Sequence, residues 1–152
     1  MIQNQHKLLA LTFLLWSCGG GSNSGNQETS SSETTPAATE ADPLKNKGIG
    51  PVKSVTLGQL DQEMADQGKL VYETMCSACH KVDKKFIGPA PMGIFERRSP
   101  EWIMNMILNP DVMTQSDPIA MQLLIEANGA PMANQNLTEE QARQVLEYFR
   151  TL

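Results

Sequence analysis

Cys76-Ser77-Ala78-Cys79-His80 gathers two thiols and an imidazole within five consecutive residues. At the end of a helix, thiols three positions apart lie about one turn from each other, so both can add to the vinyl groups of one haem. The adjacent imidazole is then placed beneath the iron as its first axial ligand. Two other chemistries use the same residue types. A redox-active dithiol normally follows a strand inside a βαβ unit, and the chain shows no such alternation. A structural zinc normally takes four Cys, His or carboxylate ligands. The other histidine, His6, and the other cysteine, Cys18, both lie in the first 18 residues, so zinc would have to recruit carboxylates. The run therefore points to covalent attachment of one haem c.

The iron's second axial position needs a donor from elsewhere in the chain. Once the amino-terminal stretch is removed, His80 is the only histidine, which excludes bis-histidine ligation within one chain. Lysine or an open position remain alternatives, but eight methionines are left after that removal, and a thioether raises the potential relative to nitrogen ligation. Met64 and Met75 fall in the helix leading to the cysteines, Met104 and Met106 in another helix as core filler. Met92 follows Pro89 too closely to reach the other face of a haem. Met113, Met121 and Met132 are far enough along. Trp102, Arg97 and Arg98 are candidate partners for the haem propionates; packing is the other role for Trp102, and solvation for an arginine. Lys81, Lys84 and Lys85 follow His80 directly, either as a docking patch for an acidic partner or as ordinary surface lysines.

The amino terminus reads as a targeting signal rather than as part of the fold. Lys7 precedes the apolar run Leu8–Trp16, which is far shorter than the roughly 20 residues a membrane-spanning helix needs. Leu15-Trp16-Ser17-Cys18-Gly19 resembles the lipobox of bacterial lipoproteins, which implies acylation of Cys18. The alternative is a signal peptide cleaved slightly later, leaving Cys18 as a stray thiol. From Gly19 to Pro43 the chain is Gly, Ser, Thr, Asn, Glu and Pro with almost no large apolar side chain, so burial cannot offset the entropy of ordering it. Such a tether has a root-mean-square span of roughly 25–30 Å. The organisation expected is a signal peptide at 1–17, a lipid-anchored linker at 18–43, an extension at 44–57 and a domain at 58–152. Losing Lys7 with the signal moves the formal charge from −5 to −6, unlike the basic footprint of a nucleic-acid binder.

The elements that must hold these groups all read as helices. Leu57, Leu60, Met64, Val71 and Met75 recur at near-helical spacing, which predicts a first helix over about 60–76 with one apolar stripe. Ser99-Pro100-Glu101 opens a second helix with a cap and a first-position proline, closed by Asn109-Pro110. Asp117-Pro118 opens a third, closed near Gly129. Thr138-Glu139-Glu140-Gln141 is a capping box, after which Ala142, Val145, Leu146 and Phe149 share a face. Aromatic residues make up only 5 % of the chain, and a bound haem would fill the core they leave thin. The fold class is all-α, about four helices around one covalently attached haem.

Gly68 to Cys76, His80 and Ile87-Gly88-Pro89 resemble the class I monohaem c-type cytochromes, and the likeness spans roughly residues 58–152. The resemblance implies the cytochrome c fold. It also implies that the Pro89 carbonyl accepts a hydrogen bond from the other nitrogen of His80, and that Gly68 lets the last helix cross closely. It places the sixth ligand in Gly129–Asn136, at Met132; Met113 is the second candidate. In that family the haem carries electrons between redox proteins. The expected function is one-electron transfer between membrane-associated respiratory donor and acceptor, in the cell envelope and facing the periplasm, with no enzymatic activity. Peroxide reduction would need an open iron site and a distal acid–base group; a gas-binding module would need a displaceable methionine. The segment Glu101–Leu152 is similar to small lipoprotein cytochromes that accompany reductases of nitrogen oxides, while a terminal oxidase or quinol-oxidising complex is equally compatible as partner.

Overall fold

The helix that leads to the cysteines begins where the sequence supplies a cap. In the computed structural model, which describes residues 42–152, Asp61 Oδ1 accepts from the Met64 N–H at 3.0 Å and opens α1, Gln62–Met75. The expected signal peptide, Cys18 and the expected linker as far as residue 41 lie outside the described residues. α1 buries Ala65, Gly68 and Tyr72. The stripe expected from Leu57, Leu60, Met64, Val71 and Met75 is thus not the buried seam. Leu57 and Leu60 precede the helix, and Leu60 and Met75 are 45 % and 44 % exposed. The reason is the closeness of the crossing with the last helix, which selects small residues over large ones.

That last helix, α5, spans Glu139–Phe149. Its capping box forms as expected: the Gln141 N–H donates to Thr138 Oγ1 at 3.1 Å, and the Thr138 N–H donates to Gln141 Oε1 at 2.9 Å. The two bonds satisfy donors that a helix start leaves unpaired. Ala142, Val145 and Leu146 are fully buried, and α5 packs chiefly on α1. A Cβ on Gly68 would overlap the Gln144 carbonyl and sit 2.8 Å from the Val145 nitrogen, so backbone meets backbone there. One turn on, the Tyr72 ring meets Tyr148 at 5.4 Å and Phe149 edge-on at 5.8 Å.

Between α1 and α5 the chain turns through a short 3-10 segment, Ile94–Glu96, and three helices. Ser99 Oγ accepts from the Trp102 N–H at 3.1 Å and caps α2, Pro100–Leu108. Asn109-Pro110 ends α2 as expected, but Pro110 also takes the first position of α3, Pro110–Ser116. A proline that stops one helix can start the next, because its missing N–H is unneeded in a first turn. Asp117 then caps α4, Pro118–Glu126. The count is five α-helices where about four were expected, and among the described residues there is no strand. The fold is all-α. No helix among the described residues is long and apolar enough to cross a membrane.

α2 is buried nearly all round, because residues 44–57 lie along its outer side. Asn105 is the main tie: its Nδ2 donates to the Lys47 and Val52 carbonyls, both at 2.9 Å, and its Oδ1 accepts from the Val52 N–H at 3.0 Å. Glu101 Oε1 accepts from the Val55 N–H at 3.1 Å and pairs with Lys47 at 3.3 Å. Asn46 Nδ2 donates to Asp117 Oδ2 at 2.7 Å. A segment too polar to form a core of its own is held by side chains that satisfy its backbone.

α5 also carries a fully buried carboxylate, Glu147. Burial raises its pKa, but the Asp61 N–H at 2.9 Å, Arg143 and Arg150 outweigh that, and the result lies below the ordinary 4.5. A group depressed on folding adds stability that is fully present above its unfolded pKa and is lost as pH falls through the folded value. Glu147→Gln is therefore expected to lower the melting temperature at pH 7, and the gap from the parent should close as pH drops below about 4.5. A gap that stayed constant down to pH 3 would contradict this. Gly68→Ala should cost about 1–3 kcal/mol by overpacking, read as a lower melting temperature. Gly58→Ala, where a Cβ meets nothing within 4 Å, serves as the control.

Candidate functional site

α1 unwinds directly into the thiols. The Cys76 N–H still donates to the Tyr72 carbonyl at 2.9 Å; the Cys79 and His80 N–H groups then both turn back to the Cys76 carbonyl, at 3.1 and 2.9 Å. This tight turn delivers Cys76, Cys79 and His80 to one cleft. The two thiols are not bonded to each other. Burial, and then the charge of Cys79 beside it, pushes the Cys76 thiol up to about 11, so it is a neutral thiol. Among the described residues no three His, Cys, Asp or Glu side chains gather as a metal-ion site, which removes the support for zinc.

His80 is fixed from three directions, two at its ring and one at its backbone. Its Nδ1 lies 2.8 Å from the Pro89 carbonyl. A carbonyl oxygen only accepts, so Nδ1 carries the proton and Nε2 keeps its lone pair. Gly88 lies flat against the ring: a Cβ there would overlap Cε1 and sit 2.7 Å from Nδ1. The Tyr72 hydroxyl donates to the His80 carbonyl at 2.8 Å. Burial, then the neighbouring Tyr148 and Cys76, pushes that hydroxyl up to about 12, so it keeps its proton. The sequence analysis assigns no contact with His80 to Tyr72 or Gly88. Neither residue's contact with His80 has a local signature, since both depend on how the chain doubles back.

The cleft has an empty volume of about 1190 Å³ with its open mouth included, and no residue lining it is charged. α2 supplies Ile103, Met106 and Ile107; α4 supplies Leu123 and Leu124; the loop before α5 supplies Pro131 and Met132. Met132 is half-buried against the core. Met113 is elsewhere: it is fully buried under the 44–57 segment, and its Sδ accepts the Ile49 N–H at 3.0 Å. Met121 is absent from the lining, whereas Met75 and Met106 contribute to it. A flat apolar ring system suits these walls, which include both the His80 imidazole and the Met132 side chain. The residues present fit a covalently attached haem.

The residues expected to meet the haem propionates also have partners within the chain. Trp102 lines the cleft, but its indole N–H donates to Asp117 Oδ1 at 3.0 Å. Arg97 donates to the Ala90 and Met92 carbonyls at 2.9 and 3.3 Å, which ties down the loop after Pro89. Arg98 lies 5.1 Å over the Trp102 ring and donates to the Arg97 carbonyl. All three act on the protein's own frame, because polar groups beside an apolar cleft must find partners within the chain.

The cytochrome c family model matches residues 65–152. The chain belongs to the cytochrome c family. It is similar to a cytochrome c from Rhodothermus marinus, with 48 % identity, a TM-score of 0.65, and coverage of 67 % of this chain and 88 % of that one. An engineered form of that cytochrome, Rma TDE, matches at 48 % identity and the same TM-score, over 67 % of this chain and 89 % of that one. The comparison with curated proteins returns no match. This cytochrome accordingly has the class I c-type fold and one covalently bound haem c, through which it transfers electrons to and from redox partners.

Because the His80 ring rests on Gly88, Gly88→Ala in the haem-loaded cytochrome should turn the imidazole away from Pro89. The expected result is a shift of the axial-histidine resonances in the NMR spectrum of the ferric protein. Gly58→Ala should leave them in place, and identical spectra for both variants would refute the packing argument.

Proposed function

We propose that this cytochrome is a membrane-tethered electron carrier with histidine–methionine ligation. Cys76 and Cys79 would hold the haem through thioether links, with His80 Nε2 and Met132 Sδ as the axial ligands. The observation that carries this reading is the Nδ1 bond from His80 to Pro89. It leaves the lone pair on Nε2 and makes the ring a better donor. Met132 is supported by its place in the same cleft, and Met113 is disfavoured because its thioether already serves the Ile49 amide.

When bound, the haem supplies a one-electron couple. The chain's part is to keep that couple from becoming anything else. With His80 and Met132 both holding the iron, no vacancy would be left for a substrate. The uncharged walls keep water away, which favours the state of lower net charge and raises the potential. Gly88 and Pro89 hold the imidazole and Tyr72 holds its backbone, so little has to reorganise when the charge changes. No residue among the lining side chains is a free distal acid or base, which supports a carrier over a peroxide-reducing enzyme.

The amino terminus would place this carrier in the cell envelope. Cys18 would be acylated after loss of residues 1–17, and the tether over 18–43 would keep the domain close to its membrane, facing the periplasm. Tethering raises the effective concentration of respiratory donor and acceptor without any new contact. Substitution of the proposed ligand separates the candidates: Met132→Ala is expected to lose the methionine-to-ferric-iron absorption band, and Met113→Leu to keep it. If Met132→Ala retained the band, Met132 would not be the ligand.

A further inference from the structure

Among the described residues three carboxylates are buried: Glu101, Asp117 and Glu147. Two of them face cations. Glu147 pairs with Arg143 and Arg150, and Glu101 pairs with Lys47. Asp117 is 2 % exposed, and among the described residues no lysine or arginine forms an ion pair with it. Its charge is met by neutral donors instead. The Trp102 indole N–H and the Ala120 N–H donate to Oδ1 at 3.0 and 2.9 Å, and Asn46 Nδ2 donates to Oδ2 at 2.7 Å. The Asn46 amide is oriented by the Gly48 N–H, which donates to its Oδ1 at 2.7 Å. All three partners of Asp117 donate, and a protonated carboxyl would need an acceptor. Asp117 is therefore satisfied as the anion.

This anion stands directly behind the cleft. Trp102 and Ala120, the two donors to Oδ1, both line it, and Asp117 itself does not. Arg98 lies 5.1 Å over the Trp102 ring, but it is only partly buried and donates to the Arg97 carbonyl. Solvent screens a partly exposed cation more than a buried anion, so Arg98 offsets the carboxylate only in part. Inside a protein the effective dielectric is about 20 rather than about 80. A fixed charge one side chain away from a redox centre is felt there.

The geometry points to Asp117 as a residue that tunes the redox potential of this cytochrome from behind the wall made by Trp102 and Ala120. This deepens the electron-carrier reading and rests on it. Reduction adds one electron to the centre, and a neighbouring anion opposes the addition. The axial ligands and the uncharged lining set the range of the potential; Asp117 lowers it within that range. Asn46 has a positioning role, because its amide holds the carboxylate in place from the 44–57 segment.

The test is a redox titration of the haem-loaded chain. Asp117→Asn keeps a side chain that caps a helix but removes the charge. It should favour the reduced form about tenfold, a rise of about 59 mV for one electron. Asn46→Ala loses the same bond to residue 117 yet leaves the anion, and should stay within about twofold of the parent. The sign separates charge from damage. A wall that was merely loosened would admit water, which favours the more charged ferric state and lowers the potential. In the ferrous protein the Trp102 indole N–H resonance should also move more in Asp117→Asn than in Asn46→Ala, since a charged acceptor has been lost. If Asp117→Asn does not assemble with haem, Asp117→Ser removes the charge with an equally good cap. A potential that falls or stays within about twofold on removing the charge, or that rises equally in Asn46→Ala, would overturn the proposal. A colourless parent chain would instead sink the carrier reading itself, so the two failures are distinguishable.

Discussion

The contact on which the rest depends is the crossing of α1 and α5 at Gly68, where the Gln144 carbonyl occupies the space of a side chain. Helices packed backbone to backbone have little freedom to slide or rotate, because any larger atom at the contact must displace a whole helix. The crossing fixes the direction in which α1 ends. Cys76, Cys79 and His80 follow at once, and their position is inherited from the helix rather than determined by the cleft. Tyr72 serves both ends of this arrangement: its ring packs on α5, and its hydroxyl holds the His80 carbonyl.

A second frame holds the far side. Trp102 presents its ring to the cleft while its N–H goes to Asp117, which also receives the Asn46 amide and caps α4. One carboxylate thereby joins the 44–57 segment, α2, α4 and the cleft wall. Most of the polar side chains near the cleft are spent in this way, on backbone groups or on each other. The cleft is left uncharged, which is what a one-electron centre needs if its charge change is to be governed by its ligands.

The sequence was most legible where the determining physics is local. The attachment run and the caps at Ser99, Asp117 and Thr138 could be read because each acts within about one helical turn. The close crossing at Gly68 was legible through family resemblance. Periodicity failed on α1 because Leu57 and Leu60 precede the helix, and because a seam this tight rewards Ala65 and Gly68 over larger residues. α3 was missed because Pro110 was taken as a stop alone. The engagements of Trp102 and Arg97 were out of reach: each depends on a carbonyl or carboxylate that only the folded chain brings near. Met113 illustrates the same limit, since nothing adjacent to it in sequence announces a bond to the Ile49 amide.

The polar fastening of residues 44–57 to α2 has a mechanical meaning for a chain held from its amino-terminal side. A pull from that direction reaches Asn46, Lys47 and Val52 before it reaches Asp61. The load is spread over Asn105 and Glu101 on α2 and Asp117 at the start of α4, on elements that carry neither thiol. α1, whose last turn delivers the cysteines and His80, is shielded from tension by a strain relief built from three side chains.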